Sequence, residues 1–166
     1  MLIRFYTDGS YYKDFNLGAW SFVVCEPKAI NKHSGIGKNV TNNKLELKAV
    51  NEALSFAIKK KYKQIEINTD SSYVFNIIRD GKFLEWERND WLTNSGRKIK
   101  NSEEWIKFVE HIKKLERSKC NCSFVKVKAH SNNYLNRIAD ETAKLRIKKY
   151  LEECSDENKL HKENTF

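Results

Sequence analysis

Four residues of this 166-residue chain combine side-chain type and position in a way that could do chemistry: Asp8, Glu46, Asp70 and Asp140. Asp8 closes "LIRFYTD" (2–8) and Asp70 closes "QIEINTD" (64–70), both rich in the β-branched and aromatic residues of strands. Sites in open α/β sheets form at the carboxyl ends of strands, so parallel neighbours would bring both aspartates to one edge. Each also has a local reading, Asp8 as a turn residue before Gly9 and Asp70 as a helix cap before "SSYVF". Glu46 closes "TNNKLE" (41–46), where a helix capped by Asn43 would make it the second half of a capping box. Yet Ala49, Val50, Ala53 and Ala57 follow Glu46 at the spacing of a buried stripe. A carboxylate heading an apolar face is costly unless something positive meets it. Asp140 is expected in the first turn of the last helix, on the face of Ala143 and Ile147, where the helix dipole alone would favour it.

Convergence would give these carboxylates a shared purpose. Gathered at one edge, they repel and raise one another's pKa. A hard divalent cation relieves that repulsion, and Mg²⁺ takes few carboxylates while keeping positions for water and phosphate oxygens. Two ions roughly 4 Å apart suit phosphodiester hydrolysis, activating a water on one side and stabilising the leaving oxygen on the other.

The elements that must position these groups follow from pattern. "GAWSFVVCE" (18–26) and "AINKHSGIGK" (29–38) read as two further strands, forming an antiparallel meander with the first. Residues 43–61 follow the helical period, and "SSYVFNIIR" (71–79) is a short helix closed by Asp80-Gly81. Residues 82–100 read as irregular, and 102–116 as an amphipathic helix with Trp105, Phe108, Val109, Ile112 and Leu115 on one face. "CSFVKVKAH" (122–130) is a strand, "SNNYLN" a loop, and a final helix runs from Arg137 to about Leu151. The order β-β-β-α-β-α-α-β-α predicts a mixed sheet with helices packed on it.

Composition narrows the class. With 40% apolar residues and a single proline, the chain supports one compact domain (1–150) followed by a polar tail (151–166) expected to fray. No stretch approaches the roughly 20 apolar residues of a membrane span, and "MLIRFYTDGS" lacks the order of a signal peptide, so a cytoplasmic location is expected. Cys25, Cys120, Cys122 and Cys154 should then stay reduced, and Cys120 with Cys122, lacking a second close pair, make a weak zinc signal. A net charge of +9 favours a polyanionic partner, nucleic acid first.

"FYTDGS" (5–10), "TNNKLELKAV" (41–50), "INTDSSYV" (67–74) and "VKAHSNNYLNRIADETA" (127–143) resemble, in order, the motifs of type 1 ribonuclease H. The resemblance runs from about residue 2 to 147, and includes a histidine, His130, ten residues before Asp140. It implies an α/β ribonuclease H-like fold, a five-stranded mixed sheet with helices on both faces. It also implies endonucleolytic hydrolysis of the RNA strand of RNA/DNA hybrids, leaving 5′-phosphate and 3′-hydroxyl ends. By position, Asp8 would bridge two Mg²⁺ ions (Mn²⁺ substituting), with Glu46 and Asp70 on the leaving-group side and Asp140 on the side of the attacking water. His130, in the loop "AHSNNYLN", would assist proton handling or product release. The same carry-over makes Gly9, Ser10 and Ser72 substrate-binding candidates. Asn42 and Asn43 would meet the minor groove, where 2′-hydroxyls mark RNA. Thr41 and Asn101 would grip a DNA-strand phosphate, and Trp86, Trp91 and "GRKIK" correspond to the basic protrusion of the family.

Departures from the pattern bear on substrate contacts. "GSYYKDFNLGAW" lacks the usual glycine- and proline-rich stretch, Ser72 stands where many members carry glutamine, and Glu85, Glu87 and Asp90 dilute the protrusion's charge. The first motif begins at residue 5, so no preceding hybrid-binding module is expected. Both tryptophans also fit a packing role. Other nucleases of the broad fold are not expected to share "TNNKLE" or the His130 loop, and a silent binding domain would not need every acidic position. A basic domain for acidic protein partners would leave the carboxylates without a purpose. A monomer is the expected state.

Overall fold

Strand β1 (Ile3–Tyr12) alternates between two buried faces, and the whole architecture follows from that. Its Ile3 and Phe5, with Ile65 and Ile67 of β4 (Gln64–Thr69), face a core completed by Trp105 and Phe108. Tyr6 points the other way, to Ile138 and Ala139. A central strand covered on both sides needs a helical layer on each. The computed structural model, which describes residues 1–128 and 133–163, supplies them. Helices α1 (Asn42–Lys60) and α4 (Ser102–Arg117) cover one face, and α5 (Tyr134–Glu163) covers the other.

The remaining elements are β2 (Leu17–Glu26), β3 (Ala29–Lys38), α2 (Ser72–Arg79), α3 (Lys82–Arg88) and β5 (Asn121–Lys126). The strands form one five-stranded sheet in the order β3-β2-β1-β4-β5. β1–β2 and β2–β3 pair antiparallel, whereas β1–β4 and β4–β5 pair parallel. This is the mixed sheet that the order of elements predicts, with the five strands and the helices on both faces that the resemblance implies.

Several boundaries differ, each for a local reason. β1 was expected to end at Asp8 and instead runs to Tyr12, because it leaves β4 after Thr7 but stays paired with β2 as far as Tyr12↔Leu17. Asp8 is therefore mid-strand, the first residue beyond the parallel ladder, and does not form a turn. Helix α1 is capped by Thr41, whose Oγ1 accepts from Lys44 N at 3.3 Å. Asn43 sits inside the helix, so Asn43 and Glu46 make no capping box. The cap of α2 is likewise Ser71, accepting from Val74 N at 3.2 Å, which frees Asp70 from that duty.

Residues 82–88, expected to be irregular, form α3, because Phe83 and Trp86 find an aromatic partner in Trp105 on α4. Lys113 on α4 also meets Glu87 at 2.5 Å, so one of the acidic residues in this segment ties α3 to its neighbour. β5 stops at Lys126, short of the expected 130. α5 starts three residues earlier than Arg137, where Asn133 Oδ1 accepts from Asn136 N at 3.2 Å. It continues to Glu163, through Leu, Glu and Lys residues of good helix propensity, where a fraying tail was expected. Asp140 consequently lies in the second turn of α5, beyond the reach of the helix-end dipole.

All four cysteines are free thiols. Burial, then neighbouring Cys120, pushes the Cys122 thiol up to about 12, so this pair packs rather than reacts.

β1 and α1 meet at a close joint. A Cβ at Gly9 would lie 2.8 Å from Glu46 N and 2.9 Å from Leu45 Cβ, so only glycine lets the strand pass this close beneath the helix. Gly9→Ala should lower stability by about 1–3 kcal/mol, as overpacking commonly does, a loss readable as a reduced Tm in thermal unfolding.

Candidate active site

Three carboxylates converge where β1 and β4 part. Oxygens of Asp8, Glu46 and Asp70 all lie within 4.8 Å of one another. Asp8 comes from β1 beyond its last pairing with β4, Asp70 from the residue after β4, and Glu46 from the second turn of α1. Asp140 approaches from α5, close enough for its charge to act on Asp8. Its position is fixed by Ser21, opposite Asp8 on β2, whose hydroxyl donates to the Ala139 carbonyl at 2.6 Å. The structure thus brings together all four predicted acidic residues; His130 lies outside the described residues.

The electrostatics of the cluster are unfavourable as it stands. Burial, then the charges of Asp70 and Asp140, raises the pKa of Asp8 to about 8, against the pull of the Gly9 N–H. Burial, then the charges of Asp8 and Asp70, pushes Glu46 well above the carboxylate range. Glu46 is 5% exposed. Among the described residues its Oε1 accepts a long hydrogen bond from Asn42 Nδ2 at 3.5 Å, and its buried Oε2 has no hydrogen-bond partner.

Glu104, 4% exposed, shows the alternative treatment. It accepts from Asn51 Nδ2 at 3.0 Å and pairs with Lys107 Nζ at 3.0 Å. Glu104 is met by a cation and a close amide; Glu46 has a long contact from one amide and, among the described residues, no cation. An orphan buried oxygen among carboxylates that oppose one another's ionisation is an all-oxygen donor set suited to a hard divalent cation. Asp8, Glu46, Asp70 and Asp140 fit that role.

Two residues at the cluster were absent from the sequence reading. Asn136 Nδ2 donates to Asp70 Oδ2 at 3.1 Å, and Lys144 Nζ pairs with Asp140 Oδ2 at 2.6 Å. Both stand four residues from Asp140, so helical periodicity extended either way along α5 was the signal that would have found them. Asn136 is buried, with its Oδ1 unpartnered.

The predicted substrate contacts fall around this centre in different ways. Gly9 is the close crossing under α1, and Ser10 is buried two residues past Asp8. Thr41, Asn42 and Asn43 are exposed at the α1 N-terminus, and Ser72 is exposed in the first turn of α2. Asn101 caps α4 with φ 59° and donates to the Tyr73 hydroxyl at 3.1 Å. A surface hollow of about 280 Å³ there is lined by Lys44, Lys98, Asn101 and Ser102. Trp86 is half-buried and edge-on to Trp105 at 5.9 Å, which gives it a packing role.

The fold is a mixed α/β sheet with acidic groups where its parallel strands separate, and comparison with known proteins identifies the family. The sequence model of the RNase H family matches residues 2–148. Ribonuclease H of Caldanaerobacter subterraneus subsp. tengcongensis is 32% identical over 152 residues, covering 92% of this chain and 95% of the relative. Ribonuclease H of Caldicellulosiruptor saccharolyticus is 35% identical over 143 residues, covering 86% and 94%. A foamy viral protease–reverse transcriptase solved with RNA/DNA hybrid shares the fold at TM-score 0.73 and 21% identity, over 87% of this chain and 20% of that one. The same viral protein solved with dsDNA aligns at TM-score 0.71 and 22% identity, over 87% and 92%. The chain belongs to the ribonuclease H family.

The raised Asp8 pKa sets a sign for stability. An unfolded Asp ionises near 3.8 and the folded one near 8, so between these values the native state holds the extra proton. The contribution of Asp8 is therefore favourable at low pH and is lost as pH rises through this window. Asp8→Asn, in chelator, should stabilise the protein at pH 8 by at least about 1 kcal/mol, the equivalent of less than one pKa unit. The gain should shrink toward zero near pH 4, as read by denaturant unfolding at the two pH values.

Proposed function

We propose that this chain is a metal-dependent endonuclease that hydrolyses the RNA strand of RNA/DNA hybrids, leaving 5′-phosphate and 3′-hydroxyl ends. The observation that carries the reading is the buried Asp8–Glu46–Asp70 triad, with Glu46 Oε2 unpartnered. Relatives named Ribonuclease H across most of the chain give it further support.

Asp8, Glu46, Asp70 and Asp140 would hold two Mg²⁺ ions, with Mn²⁺ able to substitute. Bound there, such ions would neutralise the cluster, lower the pKa of a water and offset charge at the leaving oxygen. Asp8 has Glu46 and Asp70 on one side and Asp140 on the other, which suits the shared ligand. Asn136 would orient Asp70 through its 3.1 Å hydrogen bond. His130 would accept or relay a proton near the attacking water or the departing product.

The substrate surface extends from this centre. Asn42 and Asn43, beside Glu46 on the exposed first turn of α1, would read the minor groove and its 2′-hydroxyls. Gly9, Ser10 and Ser72 flank the acidic residues along the chain and would line the path of the scissile strand. The hollow beside Asn101, with Lys44 and Lys98 on its rim, suits a phosphate of the DNA strand. Thr41 stands at the cap of the same helix that carries Lys44. A chain of net charge +9 favours a polyanion without base-specific contacts. Among the described residues no helix is long and apolar enough to cross a membrane. Action as a monomer in the cytoplasm completes the reading.

Cleavage of a 5′-labelled RNA strand annealed to DNA tests it, with single-stranded RNA, double-stranded RNA and double-stranded DNA alongside. Cutting should be confined to the hybrid, require Mg²⁺ or Mn²⁺, and fall at least about 10³-fold in Asp70→Asn. Hybrid binding without cutting, with either ion, would make the chain a silent binding domain. Glu46→Gln should be similarly inactive while remaining folded by circular dichroism; normal cleavage by this variant would remove Glu46 from the metal set.

A further inference from the structure

The four carboxylates are not equivalent. Asp8, Glu46 and Asp70 offer oxygens within 4.8 Å of one another, and no cationic side chain pairs with them among the described ion pairs. Asp140 acts on Asp8 through its charge but is already engaged, its Oδ2 2.6 Å from Lys144 Nζ. The ammonium also feels the charge of Asp8 and neighbours Tyr12, which places it on the Asp8–Asp140 side of the cluster.

We propose that Lys144 is a built-in counter-cation for Asp140, so that the two prospective metal positions load unequally. The position bounded by Asp8, Glu46 and Asp70 stands open, whereas the Asp8–Asp140 position fills only when the ammonium is displaced. This rests on the reading of the four carboxylates as metal ligands. The physical basis is simple competition. A divalent ion entering beside Asp140 must break a close N⁺–H···O⁻ contact and then tolerate a positive charge nearby. Displacement is feasible because the pair is tethered four residues apart on one helix and is accessible to water. The Lys144 and Asp140 side chains are 51% and 33% exposed. Lysine suits this role better than a fixed, forked guanidinium, because its point charge sits on a flexible stem that can swing into solvent.

Isothermal titration of the hybrid-free full chain with Mg²⁺ tests the idea without reference to activity. Wild type should show one tighter binding event and one weaker. Lys144→Met should tighten the weaker event roughly tenfold, the effect of removing one nearby like charge, and leave the tighter one within about twofold. Lys144→Arg keeps the charge and should leave the weaker event no tighter than in wild type. Lys149→Met removes the same charge half a helical turn round from Asp140 and should do likewise. If wild type shows one event, a second appearing only in Lys144→Met is the equivalent supporting result. The proposal is overturned if Lys144→Met leaves the weaker event unchanged, or if Lys149→Met tightens it equally. Failure of the underlying site reading looks different: no Mg²⁺ binding in wild type, or binding undiminished in Asp70→Asn.

Discussion

Like-charge repulsion among carboxylates withheld from water is the constraint around which this molecule is arranged. Asp8 and Glu46 are buried, Glu46 has an oxygen with no partner, and Asp70 and Asp140 add charge from either side. Left alone, such groups hold protons that ordinary carboxylates release at neutral pH. The surrounding fold keeps them together regardless. The β1–β2 hairpin continues past the last β4 pairing and carries Asp8 outward, Gly9 lets α1 close over it, and the Ser21–Ala139 hydrogen bond pins α5 from below. These are contacts between rigid elements, so the energy of the hydrophobic core holds the acidic groups in place.

The same chain shows what ordinary charge management looks like. Glu104, equally buried, is satisfied by Asn51 and Lys107, and Glu87 is neutralised by Lys113. The acidic residues of the α3 segment are thus partly spent on holding that helix to α4. Against this background the unsatisfied cluster is a local exception in a protein whose overall excess is positive. That combination suits a polyanion held over an acidic point, with long-range attraction supplied by the surface and chemistry by the exception.

Membership of the ribonuclease H family fixes the scaffold, but the cluster has individual features. Asn136, Asp140 and Lys144 form one stripe on α5, an amide, a carboxylate and an ammonium at successive turns. One end of the stripe orients Asp70 and the other neutralises Asp140. A single helix face therefore influences both sides of the site, and shifts of α5 against β2 would alter both together.

Much of this was legible in the residues. Alternation in "LIRFYTD" and "QIEINTD", the helical stripe after Glu46 and the order of elements were enough for a mixed sheet with helices packed on it, because periodicity of side chains is dictated by backbone geometry within each element; that the helices cover both faces was implied by the family resemblance. The four acidic residues were legible from their place in the pattern of elements, although Asp8 lies in mid-strand and Asp140 in the second turn of α5. What the sequence left open were choices between two local uses of one residue: Asn43 or Thr41 as cap, Asp70 or Ser71 as cap, Asp8 as turn or strand residue. Propensity scores these pairs alike, and contacts from distant segments decided them. The coil reading of 82–88 failed in the same way, since Trp105, far along the chain, is what α3 folds against. Periodicity along α5 points to Asn136 and Lys144, but only the tertiary structure could reveal which carboxylate each of them meets and that an oxygen of Glu46 is left an orphan. Satisfaction of a buried polar group is a property of everything packed around it, and no single stretch of sequence contains that information.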